Sequence, residues 1–174
     1  MHSFFELIKK RVSLRSYDKH RMVQEVDLKM ILEAGRLAPS AQNRQPWEFW
    51  VIESPNILER VKKSYVRSWF DDVPLVLAVV GNKNEVWQRK YDGYNSLETD
   101  LSIAMDHMIL AASALGIGSC WIANFEPEVL RGALQLKEDQ EIFAITPLGY
   151  PKEGGSEEVK EKTRKKLGDI MRMI

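Results

Sequence analysis

The sequence predicts a layered α/β or α+β domain built around one sheet. Segments of helical apolar period alternate with strand-length apolar runs, and one such run, Pro74–Gly81 (PLVLAVVG), is apolar throughout. The chain is also of single-domain size: 174 residues, 44% hydrophobic and 29% charged, are enough for one core without disulfides. Residues 1–174 are therefore expected to form one domain. Periodicity alone leaves the strand order open.

Taken in order, residues 3–12 read as a short amphipathic helix with Phe4, Leu7 and Ile8 on one side. Residues 25–38 read as a second helix, with Val26, Met30, Ile31, Ala34 and Leu37 at helical spacing and Pro39 as its stop. A polar loop, SAQNRQP, leads into a strand at Trp47–Glu53. Ser54 then Pro55 is a helix start, an N-cap hydroxyl followed by proline at the first helical position, and that helix should reach about Tyr65. Pro74–Gly81 suits a central strand. Residues 82–96, with Trp87, Tyr91 and Tyr94, suggest an ordered excursion.

The strongest helix signal covers residues 97–115, where Leu101, Ala104, Met105, Met108, Ala112 and Leu115 keep the spacing. Gly116 suits the left-handed position beyond its end. Apolar residues lie nearly all round it, as in a buried helix. Gly118–Ile122 reads as a strand, Pro127 to about Leu134 as a helix, and Ile142–Leu148 as a strand. Residues 153–163 are expected to be exposed, and Leu167–Ile174 to be either a helix or an extended arm.

Several functions find no support in the residues. The three histidines and single cysteine do not share metal-ligand spacing, so no metal site is expected. Nucleophile-elbow and P-loop motifs are absent, and the glycines of Leu115–Gly118 follow a helix rather than a strand, so they fail as a dinucleotide fingerprint. The basic clusters lack interleaved aromatics and the pI is near 6.8, which argues against nucleic acid. No run approaches the roughly 20 apolar residues of a membrane span, and the N-terminus does not resemble a signal peptide. The expected setting is cytoplasmic. With no acid/base pair or nucleophile evident, an enzyme of this kind would borrow its chemistry from an organic cofactor.

Charge is unevenly spread. Residues 1–22 carry six Lys/Arg against Glu6 and Asp18, residues 160–174 carry six against Glu161 and Asp169, and the chain as a whole is neutral. Two ends of +4 on a body of −8 suit an anionic ligand near the termini; plain solvated tails are the alternative.

Four segments then carry a resemblance. They are Lys10–Tyr17 (KRVSLRSY), Ala38–Trp47 (APSAQNRQPW), Leu115–Ile122 (LGIGSCWI) and Lys162-Thr163-Arg164. Their order and spacing resemble the nitroreductase family over nearly the whole chain. The second is the most specific, matching that family's A-P-S-x-x-N-x-Q-P-W loop. The resemblance implies an α+β three-layer fold with a mostly antiparallel central sheet flanked by helices, in an interlocked homodimer with FMN at the interface. It implies that NAD(P)H donates hydride through flavin N5 to a small acceptor such as a nitroaromatic or quinone, in a ping-pong cycle. No side chain is expected to act as catalyst.

By the same resemblance, Arg11 and Ser13 meet the FMN phosphate, with Lys162 and Arg164 arriving from the other chain end, and Val12 is a further cofactor contact. Arg15 reaches the pyrimidine edge, where a cation favours the anionic reduced flavin. Pro39, Ser40, Ala41, Asn43 and Gln45 contact the isoalloxazine, Ser40 from the partner subunit. Trp121, Ile122, Ala123 and Asn124 run past the ring, with the backbone N–H of Ala123 or Asn124 as candidate donor to N5. Many relatives carry glycine there. Around Val66–Asp72, where larger relatives place an Asn and a Lys, this chain has VRSWFDD, leaving Arg67 as a substitute cation. Trp69, Phe70, Trp87, Tyr91 and Tyr94 are candidates for an aromatic cover, with plain packing as the alternative. For Cys120 core packing is the favoured role. The rival functions are a related flavin enzyme, such as a reductive dehalogenase, flavin-destroying enzyme or enoyl reductase, and a flavin-binding or interaction protein without turnover.

Overall fold

A computed structural model describes residues 4–153 and 162–174. Helices α1 (Phe4–Lys10), α2 (Glu25–Arg36), α3 (Pro55–Lys62), α4 (Leu97–Ala114), α5 (Pro127–Leu134) and α6 (Leu167–Ile170) accompany strands β1 (Trp47–Ile52), β2 (Leu75–Asn82), β3 (Gly118–Ser119) and β4 (Gln140–Gly149). The strands form one sheet in the order β1-β2-β4-β3, and every ladder is antiparallel. The fold is therefore α+β, as the family resemblance implied, which resolves the alternative that periodicity left open.

Strand β2 sits inside the sheet, and its side chains alternate between two cores. Val76, Ala78 and Val80 pack with Leu58 and Val61 of α3, Leu130 and Ala133 of α5, and Leu14 and Tyr17 of the N-terminal stretch. Leu75, Leu77 and Val79 face Ile31 of α2 and Leu97, Leu101, Met105 and Met108 of α4. Burial on both faces explains why the run is apolar without alternation, although the sheet is antiparallel. Burying each such aliphatic side chain contributes about 1.5–3 kcal/mol.

Helix α4 ends as its sequence suggests. Gly116 takes φ +74, its N–H donates to Ser113 O at 3.2 Å, and the Ile117 N–H donates to Ala112 O at 2.8 Å. This pair of bonds closes the helix and turns the chain into β3.

Five expectations change in detail. Helix α3 stops at Lys62, and single turns carry the chain through Tyr65. The Ser54 hydroxyl makes no capping bond; its carbonyl accepts from Ile57 and Leu58 instead. Gly118–Ile122 is not one strand. It is a two-residue β3, followed by a separate bridge in which Ile122 and Ile145 exchange N–H···O bonds of 3.0 and 2.9 Å. Helix α1 buries none of its residues, leaving Phe4 and Phe5 exposed. Leu167–Ile174 divides into the one-turn α6 and an extended end, both exposed. Of the stretch 153–163, residues 154–161 lie outside the described residues.

Candidate functional site

The chain leaves α1 and runs extended beside β3. Ser13 pairs with Ser119, the Leu14 N–H donates to Ser119 O at 2.8 Å, and Tyr17 pairs with Pro151. Extended backbone sends alternate side chains to opposite faces. Leu14 is therefore buried in the core, while Arg11, Ser13 and Arg15 lie on the other side, with Ser13 and Arg15 exposed. Gly118 makes this close approach possible. A Cβ there would clash with Leu14 Cδ2 and lie 3.0 Å from Leu14 Cβ.

Lys162 arrives from the C-terminal segment. Its ammonium donates to the carbonyl of Ile8 in the last turn of α1. Partial burial holds its proton affinity below the ordinary lysine range, and the positive charges of Arg11 and Arg164 add to the effect. Arg11, Lys162 and Arg164 are thus close enough to repel one another. Such a cluster is ready for an anion with several charges. Lys162 has a structural task as well, since a cation that binds the last carbonyls of a helix stabilises its C-terminus. Beside the cluster lies a cleft of about 390 Å³ lined by Lys10, Arg11, Val12, Leu14, Gly116 and Ser119, among others.

Cys120 is buried. Burial raises its thiol pKa, while Arg15, a hydrogen bond from Ser13 and Arg11 pull the other way. The net direction keeps the thiol protonated, so packing accounts for it. Tyr17 is likewise raised, by burial first and then by Cys120, and its hydroxyl donates to Leu14 O at 3.1 Å. Both groups brace the stretch that carries Arg11, Ser13 and Arg15.

The loop between α2 and β1 is a second centre. Gln42, Asn43 and Gln45 hold φ of 54°, 56° and 50°, a left-handed run without glycine. Such residues are costly, by about 1–3 kcal/mol each, unless their surroundings impose them. Here the Ser40 hydroxyl accepts from the Gln45 N–H at 2.9 Å, and the Gln45 side-chain amide donates to Asn43 O at 3.1 Å. The Ala41 N–H donates to Asp100 Oδ1 at 2.9 Å, and the Ser96 hydroxyl donates to Asp100 Oδ2 at 2.7 Å. Asp100 is buried in the first turn of α4. Sequence reading missed Asp100 and Ser96. The available signal was a carboxylate between Leu97, Leu101 and Ala104 on an apolar helix, where a charge requires partners.

The two centres sit at opposite ends of α4. Ser113, at the cleft, and Asp100, under the loop, are separated by about 20 Å of helix axis at 1.5 Å per residue. Beyond β3, the Trp121 ring meets Phe143 edge-on at 6.1 Å, Ile122 is buried, and Ala123 and Asn124 emerge exposed. Pro39 is exposed at the start of the loop, and Ala41 is half-buried.

Around Val66–Asp72 the expected substitute cation is engaged elsewhere. Arg67 donates to Val66 O at 2.8 Å and lies over the Tyr65 ring at 5.4 Å. Two members of the proposed aromatic cover are packing residues: Phe70 is fully buried, and Trp69 stacks on Tyr17 at 6.1 Å against the same core. The 82–96 excursion is ordered. Gln88 pairs with Asn95, and Arg89 binds Asp92 through bonds of 2.7 and 2.6 Å. Tyr91 is exposed there. Among the described residues, no group of three or more His, Cys, Asp or Glu is placed to hold a metal ion, and no helix is long and apolar enough to cross a membrane.

The model of the nitroreductase family matches residues 8–69 and 61–150. The chain belongs to the nitroreductase family. A protein of Archaeoglobus fulgidus that carries the provisional name NADH dehydrogenase/NAD(P)H nitroreductase is 32% identical over 157 residues, covering 88% of each chain. The crystal structure of a nitroreductase family protein from Clostridium difficile superposes with a TM-score of 0.89 at 35% identity, covering 98% of both chains. A Desulfovibrio desulfuricans protein, provisionally named a nitroreductase and solved in complex with FMN, shares the fold at TM-score 0.81 and 24% identity, over 100% of this chain and 98% of its own. The nitroreductase fold thus accounts for the antiparallel sheet and both helical layers.

Proposed function

We propose that residues 1–174 form one FMN-binding unit of an NAD(P)H-dependent oxidoreductase that acts as a homodimer. One observation carries the reading: Lys162, from the far end of the sequence, bonds to Ile8 in the last turn of α1, where the positive charges of Arg11 and Arg164 both bear on it. The donor set fits a phosphate dianion. Guanidinium groups bind phosphate through charge-assisted bonds roughly twice as strong as neutral ones, and the Ser13 hydroxyl adds a neutral donor. Val12 lines the cleft between them. Relatives named as nitroreductases or NADH dehydrogenases support the nicotinamide donor.

Arg15, one alternate position along the same extended face, supplies positive charge for the pyrimidine edge. The exposed backbone at Ala123 and Asn124 supplies the candidate donor to N5, with Trp121 and Ile122 anchoring it from the core side. Pro39, Ser40, Ala41, Asn43 and Gln45 supply polar and backbone contacts to the ring. Because that loop lies about 20 Å along α4 from the cleft, the two sets meet one flavin only when the loop comes from a second copy. Bound there, FMN supplies hydride transfer between NAD(P)H and a small oxidised acceptor such as a nitroaromatic or quinone. The protein's share is orientation and fixed charge.

The test is spectroscopic. FMN is titrated into the purified protein, NADH or NADPH is added anaerobically, and a nitroaromatic follows. Binding, loss of the oxidised-flavin band and its return are expected. A protein that binds no FMN overturns the reading. Binding without bleaching by either nicotinamide favours the second reading, a flavin-binding protein without turnover. The engagement of Arg67 with Val66 and Tyr65 is the observation on that side.

A further inference from the structure

We infer that Asp100 is a positioning residue for the flavin-facing loop, holding Ser40–Gln45, with left-handed Gln42, Asn43 and Gln45, in the conformation that presents its polar edge. The inference rests on the proposed flavin reading of that loop. The loop's geometry is not one its own residues favour: Gln42, Asn43 and Gln45 all carry Cβ atoms at positive φ. Two bonds inside the loop, from the Gln45 N–H to the Ser40 hydroxyl and from the Gln45 side chain to Asn43 O, shape its tip. Neither ties it to the body of the protein.

At the loop's far end Arg44 reaches Val86 O at 3.5 Å and Pro46 O accepts the Asn82 N–H at 2.9 Å; at its near end the tie comes from Asp100. Its carboxylate is 2% exposed, and one oxygen accepts the Ala41 N–H, immediately before the first left-handed residue. The second oxygen accepts the Ser96 hydroxyl, which satisfies it on the helix side. Asp100 stands in the first turn of α4, whose neighbouring residues Leu97, Leu101, Ala104 and Met105 are all locked in the core. A rigid, buried helix turn thereby holds one end of a strained surface loop. A buried carboxylate on an otherwise apolar helix face is unfavourable for stability alone. Its burial makes sense if the loop must be pre-set before a ligand arrives. In the proposed dimer, the loop Asp100 holds serves the partner's flavin.

Three variants separate positioning from support. Asp100→Leu removes both acceptors and suits the apolar helix face. Asp100→Asn keeps an oxygen toward Ala41, and its amide donates to Ser96, whose hydroxyl reverses. Ser96→Ala breaks the helix-side bond alone. FMN affinity by fluorescence titration and the melting temperature of the flavin-free protein are measured for each. Asp100→Leu is expected to weaken FMN by on the order of tenfold or more and to lower the flavin-free melting temperature modestly, because the Ala41 N–H and the Ser96 hydroxyl lose their acceptor. Asp100→Asn should restore affinity to near wild type, and Ser96→Ala should bind FMN nearly as wild type does.

Equal FMN binding by Asp100→Leu and wild type overturns the inference and leaves the flavin reading intact. So does an equal loss in Ser96→Ala, which would make Asp100 a prop for the helix. A wild-type protein that binds no FMN overturns the reading beneath it. Should Asp100→Leu not fold, hydrogen exchange in the flavin-free wild type decides. A slowly exchanging Ala41 amide supports the anchor, and exchange at the rate of an open loop overturns it.

Discussion

At the scale of single residues, the cations differ in what they have to lose. Arg11 is half-buried at the mouth of the cleft, whereas Arg164 is exposed and donates to its neighbour Thr163 O at 2.8 Å. Arg11→Ala should therefore cost about 1.5–3 kcal/mol of FMN affinity, the worth of a charged hydrogen bond in shelter. Arg164→Ala should cost less, about 1 kcal/mol, because solvent screens it. Isothermal titration of both variants checks the order; unchanged affinity in both would sink the two-ended grip. Lys162 adds a pH signature. Burial and its two arginine neighbours hold its proton affinity below the ordinary lysine range. A bound phosphate reverses the sign of the local field and favours the protonated form. FMN affinity should then fall as pH rises through the Lys162 pKa, earlier than an ordinary lysine would dictate. On the acid side it should fall below about pH 6, where the phosphate takes up its second proton. Lys162→Met should flatten the alkaline limb and keep the acid one. An alkaline limb identical in the two proteins would assign it elsewhere.

At the scale of elements, two glycines make opposite predictions two residues apart. Gly116 needs its positive φ but has open space where a Cβ would go. Gly116→Ala should lower stability by about 1 kcal/mol through backbone strain and leave FMN affinity alone. Gly118 is limited by contact, since a methyl group there meets Leu14 Cδ2 and Cβ. Leu14 must move, and Ser13 and Arg15 are its chain neighbours. Gly118→Ala should cost about 1–3 kcal/mol in stability and weaken FMN as well. Chemical denaturation with flavin titration separates the two; a Gly118 variant with wild-type affinity would uncouple Leu14 from the phosphate face. The same pair shows what a sequence reveals. Gly116 was legible because a helix end of apolar period followed by glycine is a local pattern, and the bounds of α4, β2 and α5 were readable for the same reason. Gly118 was legible only as part of a family string, because its contact with Leu14 spans a hundred residues. Asp100 was legible only as a carboxylate on an apolar helix, not in what it holds. Its partners Ala41 and Ser96 lie on either side of β1, α3 and β2, and only the folded chain brings them to one carboxylate. For Trp69 and Phe70 the sequence left cover and packing open for the opposite reason. Aromatic composition says nothing of which ring finds Tyr17 and the core.

At the scale of the whole molecule, the proposed division of the flavin site between the two ends of α4 would couple cofactor binding to assembly. Three elements leave large apolar side chains exposed: Phe4, Phe5 and Ile8 on α1; Val26 and Met30 on α2; and Leu167, Ile170, Met171, Met173 and Ile174 at the C-terminal end. Helix α1 has no buried residue, and a seven-residue helix of that kind is marginal by itself in water. A second copy that covered these faces would stabilise α1 and bring its own Ser40–Gln45 loop to the first copy's Arg11 and Ser13. Flavin affinity should then depend on protein concentration, because on the proposed reading only a dimer would present both halves of the site. Deleting Leu167–Ile174 is expected to shift sedimentation from the dimer toward the monomer and to weaken FMN at low protein concentration, with affinity recovering as concentration rises. Lys162 and Arg164 remain in that variant, so the loss would report the missing partner rather than a missing cation. A truncated monomer that binds FMN as tightly as the full chain, at every concentration, would mean that one copy holds the flavin alone.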